Sequence, residues 1–334
     1  MSNIKERAKI KELVIGEMCT ITLVVKSATA RETKDKKPYL AMEFFDGEDT
    51  IAGNYWDWAS GNIPPVNAIL DVGAQVTEWR NIKQLSIKAL KNNTTAHIAD
   101  FMPSSGNDIA KIYNDAYALM SNVKDDTLRT IAMAALEELR QQWLTVPGAS
   151  GIHHAYVGGT LVHSYEAAVI AMNIALAVPE ANTDLVVVGA MLHDIGKLFT
   201  YKLNGINIDR TPDGNLYEHI FMGAEFIGNF ADSHVNTDDY KVGHKVRLLR
   251  HIILSHHGSL EYGSPVTPMC IEAYIVNHAD GISATAEQIR VAARKAPENS
   301  MWTDRIYTLN NRAQLTPNYV EHVMSMPEEE LVGE

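Results

Sequence analysis

Histidine and aspartate recur at intervals along a series of apolar segments: His163, His193-Asp194, His219, His256-His257 and Asp280. Of the thirteen histidines in the chain, all but His97 and His322 fall between His153 and His278. Imidazoles and carboxylates together are the ligand set of divalent cations such as Mn²⁺, Fe²⁺, Co²⁺ or Zn²⁺. A buried carboxylate is costly unless something pairs with it, and a metal does that well. A satisfied core histidine with a capping aspartate accounts for one such pair. It does not account for several helices that each carry a His or Asp at a buried-looking position, and the spacing therefore predicts a two-metal hydrolase.

The helical patterning explains the spacing. His163 begins a helix that runs to about Ala177 before Pro179 stops it, with Val162, Ala167, Ile170 and Ile174 as its buried stripe. The next helix is expected to start near Asp184 as N-cap and to pass through LVVVGAMLHDIGK. Adjacent residues lie about 100° apart around a helix, so His193 and Asp194 converge at its edge. Lys197 follows one turn beyond His193, where it either stabilises charge on phosphate oxygens or is a helix-end cation favoured by the dipole. His219 stands in YEHIFMGAEFIG, His256-His257 ends VRLLRHIILSHH before Gly258, and Asp280 lies mid-helix in IEAYIVNHADGISA.

At 334 residues the chain is too long for one ordinary core, so two domains are expected. The first ninety residues read as five short strands, Met18–Ala28, Tyr39–Phe45, Thr50–Trp58, Ala74–Arg80 and Lys83–Leu90, separated by turn signals. That pattern predicts a small all-β barrel of the OB-fold type over residues 1–95. Residues 96–124 read as a linker and first helix, 125–312 as an all-α catalytic bundle and 313–334 as a C-terminal tail. From Thr160 to about Ala293 the pattern is helical almost throughout. No apolar run approaches a membrane span, and MSNIKERAKIKE has no signal-peptide core. Two distant cysteines, Cys19 and Cys270, give no disulfide framework, and the expected compartment is a cytoplasm of bacterial type.

Charge bears on the partner. The first hundred residues are neutral, so the whole net charge of −12 lies beyond them. An acidic catalytic part argues against a broad phosphate-binding surface unless cations reverse the sign locally. The N-terminal part is better suited to a strand, with Tyr39, Phe44, Tyr55, Trp56, Trp58 and Trp79 among Lys26, Arg31, Lys36, Lys37, Arg80 and Lys83. Aromatic faces stack bases and cations follow the backbone in OB-folds, although such aromatics also serve as barrel core. Tyr39, Trp56, Lys37 and Arg80 are the candidate strand contacts. His153 and His154, in a glycine-rich loop before the first ligand, are candidates to contact phosphate or base.

The order H…HD…H…H…D resembles the HD-domain metal-dependent phosphohydrolases. More narrowly, IHHAYVGGTLVHS, GAMLHDIGK, YEHIFMGAE, ILSHHGSLEYGSP and HADGISA resemble the bacterial YhaM-type 3′-to-5′ exoribonucleases, which join an N-terminal OB-fold to a C-terminal HD domain. The resemblance implies a first metal held by His163, His193, Asp194 and Asp280, and a second held by Asp194, His219 and His256. His257 is a further ligand or supporting donor, and Lys197, Asp194 and His257 are the residues implied to act in catalysis. Each imidazole needs its other ring nitrogen fixed by a hydrogen bond, for which Glu166 and Glu218 are the nearby carboxylates. Mn²⁺ is the first choice of metal, with Co²⁺, Fe²⁺, Zn²⁺ and Mg²⁺ as alternatives. The implied partner is single-stranded RNA or DNA, cleaved to nucleoside 5′-monophosphates by a hydroxide between the metals, with no membrane; a homo-oligomer stays open. The rival readings are an HD phosphodiesterase or nucleotidase acting on a small or cyclic nucleotide, and a non-catalytic strand-binding protein with a structural metal.

Overall fold

Alternation of apolar and polar residues builds the first unit. In this computed structural model, which describes residues 8–59, 61–102, 106–149, 154–297 and 299–326, strands β1 (Met18–Glu32), β2 (Pro38–Phe45), β3 (Thr50–Tyr55), β4 (Ile69–Trp79) and β5 (Ile82–Asn92) close into a barrel of order β1-β2-β3-β5-β4. Every pairing is antiparallel except β3 with β5. Closure removes free strand edges, and a closed five-stranded barrel with this order is the expected OB-like module. Ile21, Leu23, Val25, Leu40, Met42, Phe44, Ile51, Val72, Val76, Leu85 and Ile87 fill its interior. Phe44, one of the aromatics that the sequence left between core and platform, is fully buried. The acidic turn after β2 serves the backbone: Asp46 Oδ1 accepts from the Glu48 and Asp49 amides, and Oδ2 accepts from Ile10 N at 2.7 Å.

The second unit is helical. Its elements are α1 (Ile109–Ser121), α2 (Asp126–Glu138), α3 (Arg140–Thr145), α4 (Gly159–Leu176), α5 (Thr183–Leu192), α6 (Lys197–Thr200), a hairpin of β6 (Tyr201–Asn204) and β7 (Asn207–Arg210), α7 (Pro212–His234), α8 (Tyr240–Ser255), α9 (Ile271–Lys295) and α10 (Pro317–Ser325). At the centre is α5, whose Leu185–Leu192 stretch is buried on every side, as a helix that is apolar all round must be. α4, α8 and α9 pack around it. Trp143 is fully buried and donates its indole N–H to Ala135 O at 3.2 Å. No helix among the described residues is long and apolar enough to cross a membrane.

The structure corrects several boundaries. Compact units divide as residues 1–104 with 203–208, and 105–202 with 209–334, so α1, the first helix expected between the domains, is grouped with the helical core through Tyr113, Ala116 and Met120. The tip of the β6–β7 hairpin is grouped with the barrel, where Asn67 Nδ2 donates to Asn204 O at 3.2 Å and Ile206 packs with Val24 and Phe101. Part of the expected tail is helix α10, with Thr316 as N-cap accepting from Tyr319 N; residues 327–334 lie outside those described. Asn182, not Asp184, caps α5, because its side chain accepts from Leu185 N at 2.9 Å. Asp184 instead receives the Lys124 and Asp125 amides.

Candidate metal centre

The ligating side chains stand mostly where helices end. α5 stops at Leu192, so His193 is its C-cap and Asp194 lies in the turn beyond it. Lys197 therefore opens the short α6 and does not continue one long helix, yet its amide still bonds Asp194 O at 2.9 Å. His256 caps α8 and His257 follows it, while His163 lies inside α4 and Asp280 inside α9. His219 follows Glu218, whose φ of 60° and ψ of 157° break α7. That conformation is costly for a residue with a Cβ, and strain of this kind collects at functional sites.

Two glycines make the approach of these segments possible. A Cβ on Gly196 would stand 1.9 Å from the His219 carbonyl oxygen, and one on Gly159 would stand 1.9 Å from that of His154. Gly196 thus lets the turn after Asp194 meet the backbone that carries His219.

The ligand atoms converge in two overlapping groups. His163 Nε2 lies 3.0 Å from Asp280 Oδ1, 3.4 Å from Asp194 Oδ2 and 3.2 Å from His193 Nε2. Asp194 Oδ1 lies 3.4 Å from His219 Nε2 and 3.6 Å from His256 Nε2. Within each of the sets His163/His193/Asp280, His193/Asp194/His256 and His219/His256/His257, the ligand atoms are all within 4.8 Å of one another. Asp194 Oδ1, His219 Nε2 and His256 Nε2 are buried without a hydrogen-bond partner. Groups of this kind are costly to leave unsatisfied, and a divalent cation among them meets all three demands.

Hydrogen bonds on the far side of the rings support the same reading. Nδ1 of His193 donates to Ala190 O at 2.7 Å, that of His256 to Ile253 O at 2.7 Å and that of His257 to Tyr262 O at 2.8 Å. A carbonyl only accepts, so each Nδ1 holds a proton and each Nε2 is left to bind metal. Burial lowers the pKa of His219, His256 and His257, and brings His163 down to about 4. At His193 burial also opposes charge, but Asp194 and Asp280 outweigh it and raise the pKa. Burial pushes Asp194 up, whereas the ammonium of Lys197 and the charge of His193 hold it well below the usual carboxylate range. Lys197 Nζ lies 2.7 Å from Asp194 Oδ2, and its side chain is 9% exposed.

His154 corrects an expectation. It is 1% exposed, with its ring 5.0 Å from that of His163 and Nε2 3.7 Å from Glu166 Oε2, so it backs the first ligand and does not face a strand. His153 lies outside the described residues. On the barrel, Tyr39 and Trp56 stack with centroids 4.6 Å apart, and Trp56 is 47% exposed. Lys37 immediately precedes β2, two residues before Tyr39, and is exposed. Arg80, which sits over Trp79, is at the other end of the β3–β5 ladder, since parallel pairing of Ala52 with Gln84 sets the start of β5 beside the start of β3. Sequence reasoning missed Ser283, although its i+3 spacing from Asp280 places it on the same face of α9.

Residues 160–285 match the family described as HD domain, and the His and Asp residues gathered as above all fall within that match. Over nearly all of its length the chain is also similar to one particular protein, the 3′-5′ exoribonuclease YhaM of Oceanobacillus iheyensis. The identity is 29% over 320 residues, covering 92% of this chain and 96% of the relative. Among solved structures, the second OB-fold domain of replication protein A from Methanococcus maripaludis aligns at 19% identity, with 27% of this chain and 97% of that one covered and a TM-score of 0.23. The barrel assignment stands on strand order and closure.

Proposed function

We propose that the chain is a divalent-metal-dependent 3′-to-5′ exoribonuclease that uses two cations, Mn²⁺ by preference, to release nucleoside 5′-monophosphates from single-stranded RNA. The observation that carries the metal centre is the convergence of Asp194 Oδ1, His219 Nε2 and His256 Nε2, buried and without hydrogen-bond partners. The 3′-to-5′ polarity and the RNA substrate come from the end-to-end similarity to YhaM.

His163, His193, Asp194 and Asp280 would hold one cation, and Asp194, His219 and His256 the other, with His257 as a third imidazole on that side. When bound, the cations would supply positive charge for the phosphate oxygens and would lower the pKa of the attacking water. The chain's own groups do the positioning. Lys197 keeps Asp194 ionised, so that its two oxygens serve both sides, and adds a positive charge near the scissile phosphate. Water adds to the terminal phosphorus, the bond to the 3′ oxygen of the preceding nucleotide breaks, and that oxygen leaves with a proton. Tyr39 and Trp56 offer stacking faces beside Lys37, which suits a strand held without regard to sequence.

Incubation of the purified protein with 5′-labelled single-stranded RNA, matched DNA, mononucleotides and cyclic nucleotides tests the proposal. The expected result is an Mn²⁺-dependent ladder that shortens from the 3′ end of the RNA. Cyclic nucleotides opened while oligomers stay intact would replace it with the small-nucleotide reading. Stacking on an aromatic ring contributes about 1–3 kcal/mol per base. Tyr39→Ala and Trp56→Ala are therefore each expected to weaken RNA binding by about tenfold in an anisotropy titration, and an unchanged affinity in both would remove the barrel face from the interface.

A further inference from the structure

Among the described residues, His163 differs from the other imidazoles at the centre in that its Nδ1 faces a hydroxyl. The Nδ1 atoms of His193, His256 and His257 each face a backbone carbonyl, which can only accept and so dictates the tautomer. Nδ1 of His163 faces Ser283 Oγ at 3.0 Å. A hydroxyl both donates and accepts, so this contact by itself leaves two states open: Nδ1 protonated with Nε2 free for metal, or Nε2 protonated and unable to bind it.

The next residue tips the balance. Ser283 Oγ lies 3.0 Å from Glu166 Oε2, and a carboxylate only accepts. The single hydroxyl proton therefore goes to Glu166 and the Ser283 lone pairs are left to accept from Nδ1–H, which favours an unprotonated Nε2 against the pull of Asp280 Oδ1, 3.0 Å from that atom. Glu166 is anchored in turn, because Arg290 donates to its other oxygen, Oε1, at 2.9 Å and to Glu287 Oε2 at 3.0 Å. Ser283 is fully buried, so the bonds at its hydroxyl are shielded from water, while Arg290 and Glu166 are 43% and 26% exposed at the outer end of the line. His163 and Glu166 lie three residues apart on α4, while Ser283, Glu287 and Arg290 follow one another along α9, so the packing of two helices sets the whole line of bonds.

We propose that Glu166, acting through Ser283, is a positioning residue that fixes the metal-binding tautomer of His163. This rests on the reading of the centre as a divalent-cation site. It needs no RNA, so its test separates from that of the exonuclease activity.

The replacement Glu166→Gln has the same shape and reverses the polarity. Arg290 holds the amide oxygen, the amide nitrogen then donates to Ser283 Oγ, and the hydroxyl proton turns to His163 Nδ1. A proton is thereby driven onto Nε2, the atom needed by the metal. Supporting partners of this kind change metal affinity by about 10- to 100-fold when altered. Calorimetric titration of metal-stripped protein with Mn²⁺ is expected to show that loss for Glu166→Gln, together with a ¹⁵N spectrum of the stripped variant in which the His163 proton has shifted from Nδ1 toward Nε2 relative to the stripped parent. Ser283→Ala is expected to lose affinity as well, and adding Glu166→Gln to Ser283→Ala is expected to change it little further, because the carboxylate acts only through the hydroxyl.

A purely structural role for Glu166 would give additive losses with the tautomer unchanged, and that outcome overturns the proposal. So does a folded Glu166→Gln protein, verified by its circular dichroism, that binds Mn²⁺ as tightly as the parent. A parent chain that takes up no divalent cation would overturn the metal centre and the proposal together, whereas a parent that binds Mn²⁺ but does not degrade RNA would sink only the substrate assignment.

Discussion

Asp194→Asn is expected to reduce RNA hydrolysis by about 10³-fold or more, the upper range for removal of one electrostatic stabiliser at a reacting centre. Asp194 is the residue on which both ligand groups depend. Oδ2 is 3.2 Å from His193 Nε2 and 3.4 Å from His163 Nε2, while Oδ1 faces His219 and His256. An amide keeps the size of the group and gives up its charge, so both of the proposed cation positions would lose a shared ligand at once. The same change leaves Lys197 nearly buried without its counterion, and losing one member of such a pair costs about 3 kcal/mol. Steady-state rates on labelled RNA, metal content by emission spectroscopy and a thermal melt of the stripped protein read the three effects separately. A variant that keeps more than about a tenth of the parent rate would remove Asp194 from the chemistry.

Gly196→Ala is the second large effect. Its methyl group would fall 1.9 Å from the His219 carbonyl oxygen and 2.7 Å from Gly223 N, both backbone atoms with no rotamer to yield. Overpacking in a well-packed interior costs about 1–3 kcal/mol, and a clash this short belongs at or beyond the top of that range. The structure can relieve it only by moving the segment that carries His219, so one Mn²⁺ site is expected to weaken along with stability. Gly281→Ala is the control, since a Cβ there meets nothing within 4 Å and the residue lies inside α9. That variant is expected to be neutral or more stable by about 0.5 kcal/mol. Equal melting temperatures for Gly196→Ala and the parent would show that the close approach is not required.

The convergence of the His and Asp residues was legible because these residues are rare at buried positions and their order along the chain is distinctive. The barrel was legible from β-branched and aromatic runs between turn signals, which placed all five strands, although the expected third strand ran past Tyr55 to Trp58 and the fourth began at Ala74 where β4 begins at Ile69. What escaped was set by tertiary contact. Leu192 ends α5 although LVVVGAMLHDIGK reads as one continuous helix, because the turn must carry Asp194 and Gly196 against the His219 backbone. The left-handed Glu218 leaves no trace in YEHIFMGAE, since nothing local favours it. The β6–β7 hairpin did carry a signal, Asn204-Gly205 between YKL and INI, but the helical periodicity on both sides obscured it. His154 looked available because it lies in a glycine-rich loop, and only the packing of its ring on His163 shows otherwise.

The pairing of Lys197 with Asp194 gives this protein an order of events that small zinc domains lack. Those domains collapse only once their ion arrives, because nothing else offsets the charge of their ligands. Here an ammonium already neutralises the most deeply placed acid, so the helices can assemble first and be loaded afterwards. Scarcity of the ion would then leave an idle but intact molecule in reserve, ready to resume work when supply returns.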